Sequence, residues 1–238
     1  MLKKTSNKIA LMVNLPADEC ANIANGKQRF VMIGNGYAQH IRRYLKENKR
    51  VRVYFCCSKK GELWRTTDAI HYYVTPTYEA LDKRPTLEDL RSGAKFYAHL
   101  NGSVIGYADI SAIVSISYEP QIEEYLSSND DISFNKISAP FLMNYCRNKI
   151  KYGDGFALYF RVGKSKGYLY DNPITPTDFM KPGAEMAFAS IPKNLDYSEE
   201  RKVYDHFEEK YRLKKAPSRY TYVEMLDPYN IVHQVREI

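Results

Sequence analysis

No apolar run in this chain is long enough to cross a bilayer, so the sequence contains no candidate membrane-spanning helix. Cysteine is scarce. Cys20, Cys56, Cys57 and Cys146 form no Cys-x-x-Cys pair and have no histidine at zinc-ligand spacing, which excludes a zinc ribbon or a disulfide framework. They read as small apolar thiols packed in a reducing compartment. His40, His71, His99, His206 and His233 also lack metal spacing, so no metal or other cofactor is expected. There is no Walker loop and no Ser-His-Asp order, and Gly34-Asn-Gly36 lacks the third glycine of a dinucleotide fingerprint. The basic start of the chain is followed by about seven apolar residues that run into Pro16. That stretch is too short for a secretory signal, and a cytoplasmic location is expected.

What is present is basic charge and tyrosine. A net charge of +7 with 21 tyrosines pairs cations with flat rings, the chemistry that phosphates and unpaired bases need. Tyrosine is also a good strand former, so part of this supply serves the sheet. With 238 residues and 44% hydrophobic content the chain can bury one ordinary core.

The segment 9–33 reads as an apolar strand, a short amphipathic helix ending on Asn25-Gly26, a turn that can enter the left-handed region, and a strand returning from Lys27. Ile41, Tyr44 and Leu45 have helical spacing over 37–48, with Arg42, Arg43 and Lys46 on the opposite face. Residues 51–57 alternate and then become continuously apolar, as in a strand entering a core. Asn101-Gly102 between 95–100 and 103–115 predicts a hairpin, and Gly106 predicts a bulge or a close backbone approach. Helical material is expected over 120–150, a core strand at 155–162, a charged helix at 199–213 and a final strand at 217–226. Two prolines after Tyr170 argue against a central strand there. These elements predict an α+β fold, a small mixed β-barrel with flanking helices, as one domain over 1–238. An insertion is expected at about 62–93 and a helical extension at about 193–215.

Several segments resemble, in order, the ASCH branch of the PUA-like superfamily. Asn25-Gly-Lys-Gln-Arg-Phe-Val-Met-Ile33 is similar to its Asn-Gly-x-Lys-x-x-Glu-x-Arg turn. Residues 50–58, Val104-Ile-Gly-Tyr-Ala-Asp-Ile110, residues 155–162, Pro173-Ile-Thr-Pro-Thr-Asp-Phe179 and Ala216-Pro-Ser-Arg-Tyr-Thr-Tyr222 are similar to its later strands and exit. The resemblance implies a cleft between the glycine turn and the closing strand that binds RNA or modified nucleosides. In a few small members it implies hydrolysis of acylated cytidine by a Lys, a Thr and a Glu. Here Gln28 stands at the Lys position, Val31 at the Glu or Thr position and Ile33 at the Arg position. Neutral Gln and Val cannot move the proton that such hydrolysis needs.

The expected function is therefore a module that binds RNA or a modified nucleoside between the 25–29 turn and the 217–222 strand. Asn25, Gly26, Lys27, Gln28 and Arg29 form one wall, and Ser218, Arg219 and Tyr220 the other. Lys59 and Lys60 would track the backbone. An amidohydrolase would recruit Lys27 with Glu119, Glu123 or Glu124. A third reading makes the basic helix a docking surface for a protein partner.

Overall fold

A computed structural model describes residues 10–26, 30–47, 50–65, 70–73, 91–92, 99–116, 155–159, 165–224 and 233–237. The chain opens with β1 (Ala10–Leu15), α1 (Ala17–Ala24), β2 (Phe30–Gly34), α2 (Asn35–Glu47) and β3 (Val51–Cys57). Next come β4 (Glu62–Arg65), β5 (Ile70–Tyr73), β6 (Val104–Ile110), β7 (Ile113–Ile116), β8 (Gly155–Tyr159) and β9 (Lys166–Ile174). A 3-10 turn (Pro176–Asp178), α3 (Ala184–Ala189), α4 (Tyr197–Tyr211), β10 (Tyr220–Val223) and β11 (Val235–Glu237) complete it.

Six strands form one mixed sheet in the order β10-β1-β3-β6-β9-β11, with β1 and β3 parallel. The fold class is α+β, as expected, but the barrel is corrected. Among the described residues this sheet is open, with β10 and β11 as its outer strands, and β2-β8-β7 is a separate three-stranded sheet. The cause lies in the stretch read as one strand from 103 to 115. It breaks at Ser111, whose N–H and hydroxyl both meet the Ser165 hydroxyl at 2.9 Å, and β7 leaves to pair with β8. The strand is thus divided between two sheets instead of continuing around one.

β3 is covered on both faces. Val53, Phe55 and Cys57 point with Leu11, Val13 and Leu15 into the core beneath α1 and α2. Tyr54 and Cys56 join Met12, Phe179, Leu213 and Val223 on the other face. This explains why the strand loses its alternation after Arg52: both sides of the pleat are inside. The acidic residues Asp18 and Glu19 in the first turn of α1 suit its positive N-terminal end.

α4 begins two residues before the expected Glu199. The Asp196 carboxylate accepts the Glu199 N–H at 2.8 Å, and the Glu199 carboxylate accepts the Asp196 N–H, a reciprocal cap. β9 extends as far as Ile174 despite Pro173. Its pairing with β11 covers Tyr168, Leu169 and Tyr170, so the proline lies beyond that ladder and removes none of its bonds. The segment expected as an insertion contributes the β4–β5 hairpin. Arg65 fixes it to β9 by donating to the Asp171 carbonyl at 2.7 Å.

The expected hairpin at 101–102 turns at Gly102, whose φ is 78°. Its first arm, 95–100, lies mostly outside the described residues, and the observed antiparallel partners of β6 are β3 and β9. The helix expected over 120–150 also lies outside them. Gly106 has the close approach expected of it: a Cβ there would stand 2.2 Å from the Tyr168 carbonyl oxygen. Gly106→Ala is expected to destabilise the protein by about 3 kcal/mol or more, because the obstacle is backbone in a three-strand ladder. Denaturant midpoints check this; an unchanged midpoint would contradict the register.

Candidate nucleic-acid groove

α2 starts directly after β2, and its Tyr37, His40, Ile41 and Tyr44 follow the i, i+3, i+4, i+7 spacing of one helical face. That face meets the sheet where β10 forms its edge. Val13 pairs with Tyr220 and Leu11 with Tyr222, so both tyrosines project toward α2 rather than into the opposite core. The Tyr37 ring lies 4.7 Å from Tyr220 and 6.1 Å from Tyr222, and His40 meets Tyr222 edge-on at 6.1 Å.

Between these elements is a cavity of about 290 Å³. Leu11, Ile41 and Val51 form its apolar floor, Tyr44 and Tyr222 its aromatic sides, and His40, Arg43 and Pro182 its rim. This volume lies at the small end of ligand sites. The Tyr222 hydroxyl is buried, with no hydrogen-bond partner among the described residues. A buried phenol with both donor and acceptor capacity gives the apolar cavity one polar contact point. Burial, with Tyr37 adding to it, raises the Tyr222 pKa above the usual phenol value.

The Pro182 wall is held by Glu224, two residues beyond Tyr222. Its buried carboxylate accepts the Gly183 N–H at 2.7 Å and the Glu185 N–H at 3.0 Å. Backbone bonds between Met180 and Glu224, 2.8 Å in each direction, close the same loop. Pro182 carries no motif; only the turn that Glu224 holds beside β10 brings it to the groove.

The expected site residues are distributed differently. Asn25 ends α1, and both halves of its amide engage β5: Nδ2 donates to the Ile70 carbonyl at 2.7 Å and Oδ1 accepts the Ile70 N–H at 3.1 Å. Gly26 takes the left-handed conformation expected of it, with φ 71°. Lys27, Gln28 and Arg29 lie outside the described residues, as do Glu119, Glu123 and Glu124. Ser218 and Arg219 are exposed in the turn before β10, and Tyr220 is half-buried against Tyr37. Lys59 and Lys60 are exposed beyond the C-terminal end of β3, whereas the groove sits at the N-terminal end of that strand. The fold therefore does not bring Lys59 and Lys60 together with Tyr222. Tyr37 and His40 are groove residues that the sequence does not single out, since Ile41, Tyr44 and Leu45 define the helical spacing there. The signal was there: that face carries polar-tipped rings where a buried helix usually carries Leu or Val.

Three further histidines pair with rings or face solvent. His99 packs edge-on against Trp64 and His233 against Tyr170, while His206 is exposed on α4. Among the described residues no group of three His, Cys, Asp or Glu side chains is placed to hold a metal. Cys20 and Cys56 are buried thiols; burial pushes Cys56 up to about 12 and raises Cys20 as well. Thiolate chemistry at neutral pH is not available to either. No helix among the described residues is long and apolar enough to cross a membrane.

Two outcomes follow. Asn25→Ala is expected to cost about 1–2 kcal/mol of stability through two lost hydrogen bonds, measured by denaturation. Burial raises Tyr54, Tyr107, Tyr170 and Tyr222 above the ordinary phenol value, so the native state keeps protons that the unfolded chain releases. Stability is then full below about pH 10 and falls as pH rises above it. Denaturant midpoints at about pH 8 and pH 11, read beside phenolate absorbance, check the sign; complete phenol ionisation in a still-folded protein would overturn it.

No family model matches the chain, and no curated protein does. Solved structures do align with it. It is similar to the crystal structure of ASCH from Zymomonas mobilis, with 14% identity and a TM-score of 0.30 over 84% of this chain and 96% of that one. The S128A mutant of ZmASCH from the same organism gives 13% identity and a TM-score of 0.31 over 84% and 97%. The N-terminal domain of Staphylothermus marinus McrB gives 13% identity and a TM-score of 0.38 over 84% and 94%.

Proposed function

We propose that this chain is a binding module for single-stranded nucleic acid, RNA foremost, that takes one unpaired base or a modified nucleoside into the groove between α2 and β10. One observation supports this above the others: Tyr44, Tyr222 and His40 surround an apolar cavity of one-base scale with Arg43 at its mouth. Rings stack on any base face, and the guanidinium meets the phosphate that follows. The described walls bring imidazole, guanidinium and phenol groups but no carboxylate, a set suited to gripping a nucleotide rather than hydrolysing one. The proposal keeps the 217–222 strand as one side of the site and makes α2 the other. Lys27, Gln28 and Arg29 remain candidates for further contacts on the basis of their motif alone.

The test is fluorescence anisotropy with labelled RNA and single-stranded DNA at two salt concentrations. Tyr222→Ala is expected to weaken binding by about 1–3 kcal/mol, the worth of one base–aromatic stack. Arg43→Ala is expected to weaken binding and flatten the salt dependence by roughly one phosphate contact. Affinity unaffected by both substitutions would remove the groove from the function. Turnover of an acylated nucleoside would instead support the hydrolase, and nuclease-resistant co-purification with a protein would support docking.

A further inference from the structure

A second aromatic surface begins at the same end of the sheet, on its other face. Strand register places Tyr54, Tyr107 and Tyr168 side by side across β3, β6 and β9. Tyr107 lies 5.8 Å from Tyr54 and 5.1 Å from Tyr168, the latter pair inclined by only 31°. Tyr54 is buried under Phe179, but Tyr107 and Tyr168 are only half-buried.

The neighbouring row is Arg52, Asp109 and Lys166. Asp109 holds the Arg52 guanidinium through two hydrogen bonds, at 2.8 and 2.9 Å, and the guanidinium lies 4.1 Å from the Tyr107 ring centre. The Arg52 side chain is nevertheless 37% exposed. Burial opposes its charge, and Asp109 more than offsets that, so the cation is held more basic than usual. A planar cation stacked over one ring, with a second ring adjoining at a 31° tilt, offers a guanidinium face and a ring face of the kind bases stack on.

The position of this surface gives it an occupant. Arg50 is exposed at the entrance to β3, Val51 lines the groove, and Arg52 emerges on the opposite face. Three consecutive residues thus lead from one aromatic site around the sheet end to the other. Within the platform Arg52 is paired with Asp109 and Lys166 with Glu237, so it is close to neutral and suited to bases. Arg43 lines the groove and Arg50 precedes Val51, both exposed cations available to the phosphates between.

We propose that Tyr107, Tyr168 and Arg52 form a second stacking site for single-stranded nucleic acid, engaged by a strand that leaves the α2–β10 groove and rounds the sheet end past Arg50. This rests on the groove being the first site. It makes affinity depend on length, because a short ligand fills the groove alone and a longer one reaches the platform.

The test compares a labelled RNA trinucleotide with an oligomer of about ten nucleotides, within the span of small single-strand binding folds. Tyr168→Ser is expected to weaken the longer ligand by about 5- to 100-fold and leave the trinucleotide unchanged, whereas Tyr222→Ala weakens both. Unchanged binding of the longer RNA to Tyr168→Ser would overturn the platform while leaving the groove reading intact. Indifference of both lengths to Tyr222→Ala would remove the groove instead. Should Tyr168→Ser fail to fold, nitration of the unmodified protein decides the matter. The longer RNA is expected to protect Tyr107 and Tyr168 and the trinucleotide is not; equal nitration with and without the longer RNA would overturn the proposal.

Discussion

Burial of β3 on both faces is the constraint from which the rest of the architecture follows. A strand that presents Val53, Phe55 and Cys57 to one side and Tyr54 and Cys56 to the other needs two covers. α1 and α2 supply the first, and the segment around Phe179 and Leu213 supplies the second. The strand becomes polar-faced only at Arg52, near its entrance. There the two covers end, and the groove and the tyrosine platform open on either side of one strand terminus.

Polar groups inside the fold are mostly spent on backbone. Asn25 stands in for a strand partner at Ile70, Arg65 donates to carbonyls of β9, and Glu224 caps the turn that carries Pro182. Leaving such groups unmade inside would cost more than their net worth, so each fixes geometry. What the groove offers instead is ring faces, one phenol and cations at the rim. Under the proposed function, that balance serves recognition by stacking and charge.

How much of this could be read beforehand varied with the range of the interaction. Local signals were legible: the two-sided apolar pattern of 51–57, the left-handed turn at Gly26, the α2 helix, and the close approach at Gly106. The capping pair Asp196 and Glu199 was also in the sequence, although the helix start was placed at Glu199. Long-range pairings were not. The stretch 103–115 reads as one strand because its apolar residues continue through Ser111, and nothing local reveals that Ser165, far along the chain, will turn it. Nothing local to Asn25 shows that the Ile70 backbone will meet its amide.

The sequence by itself determined the α+β class, most of the strand and helix segments, and a basic, tyrosine-rich composition suited to polyanions. Periodicity and turn chemistry are properties of neighbouring residues, so they survive in one dimension. Only the tertiary structure decided that the main sheet stays open, that β10 sets Tyr222 against α2, and that Lys59 and Lys60 lie at the opposite end of β3 from that groove. Those outcomes depend on strand order and register, which join residues far apart in the chain through backbone hydrogen bonds that no side-chain pattern specifies.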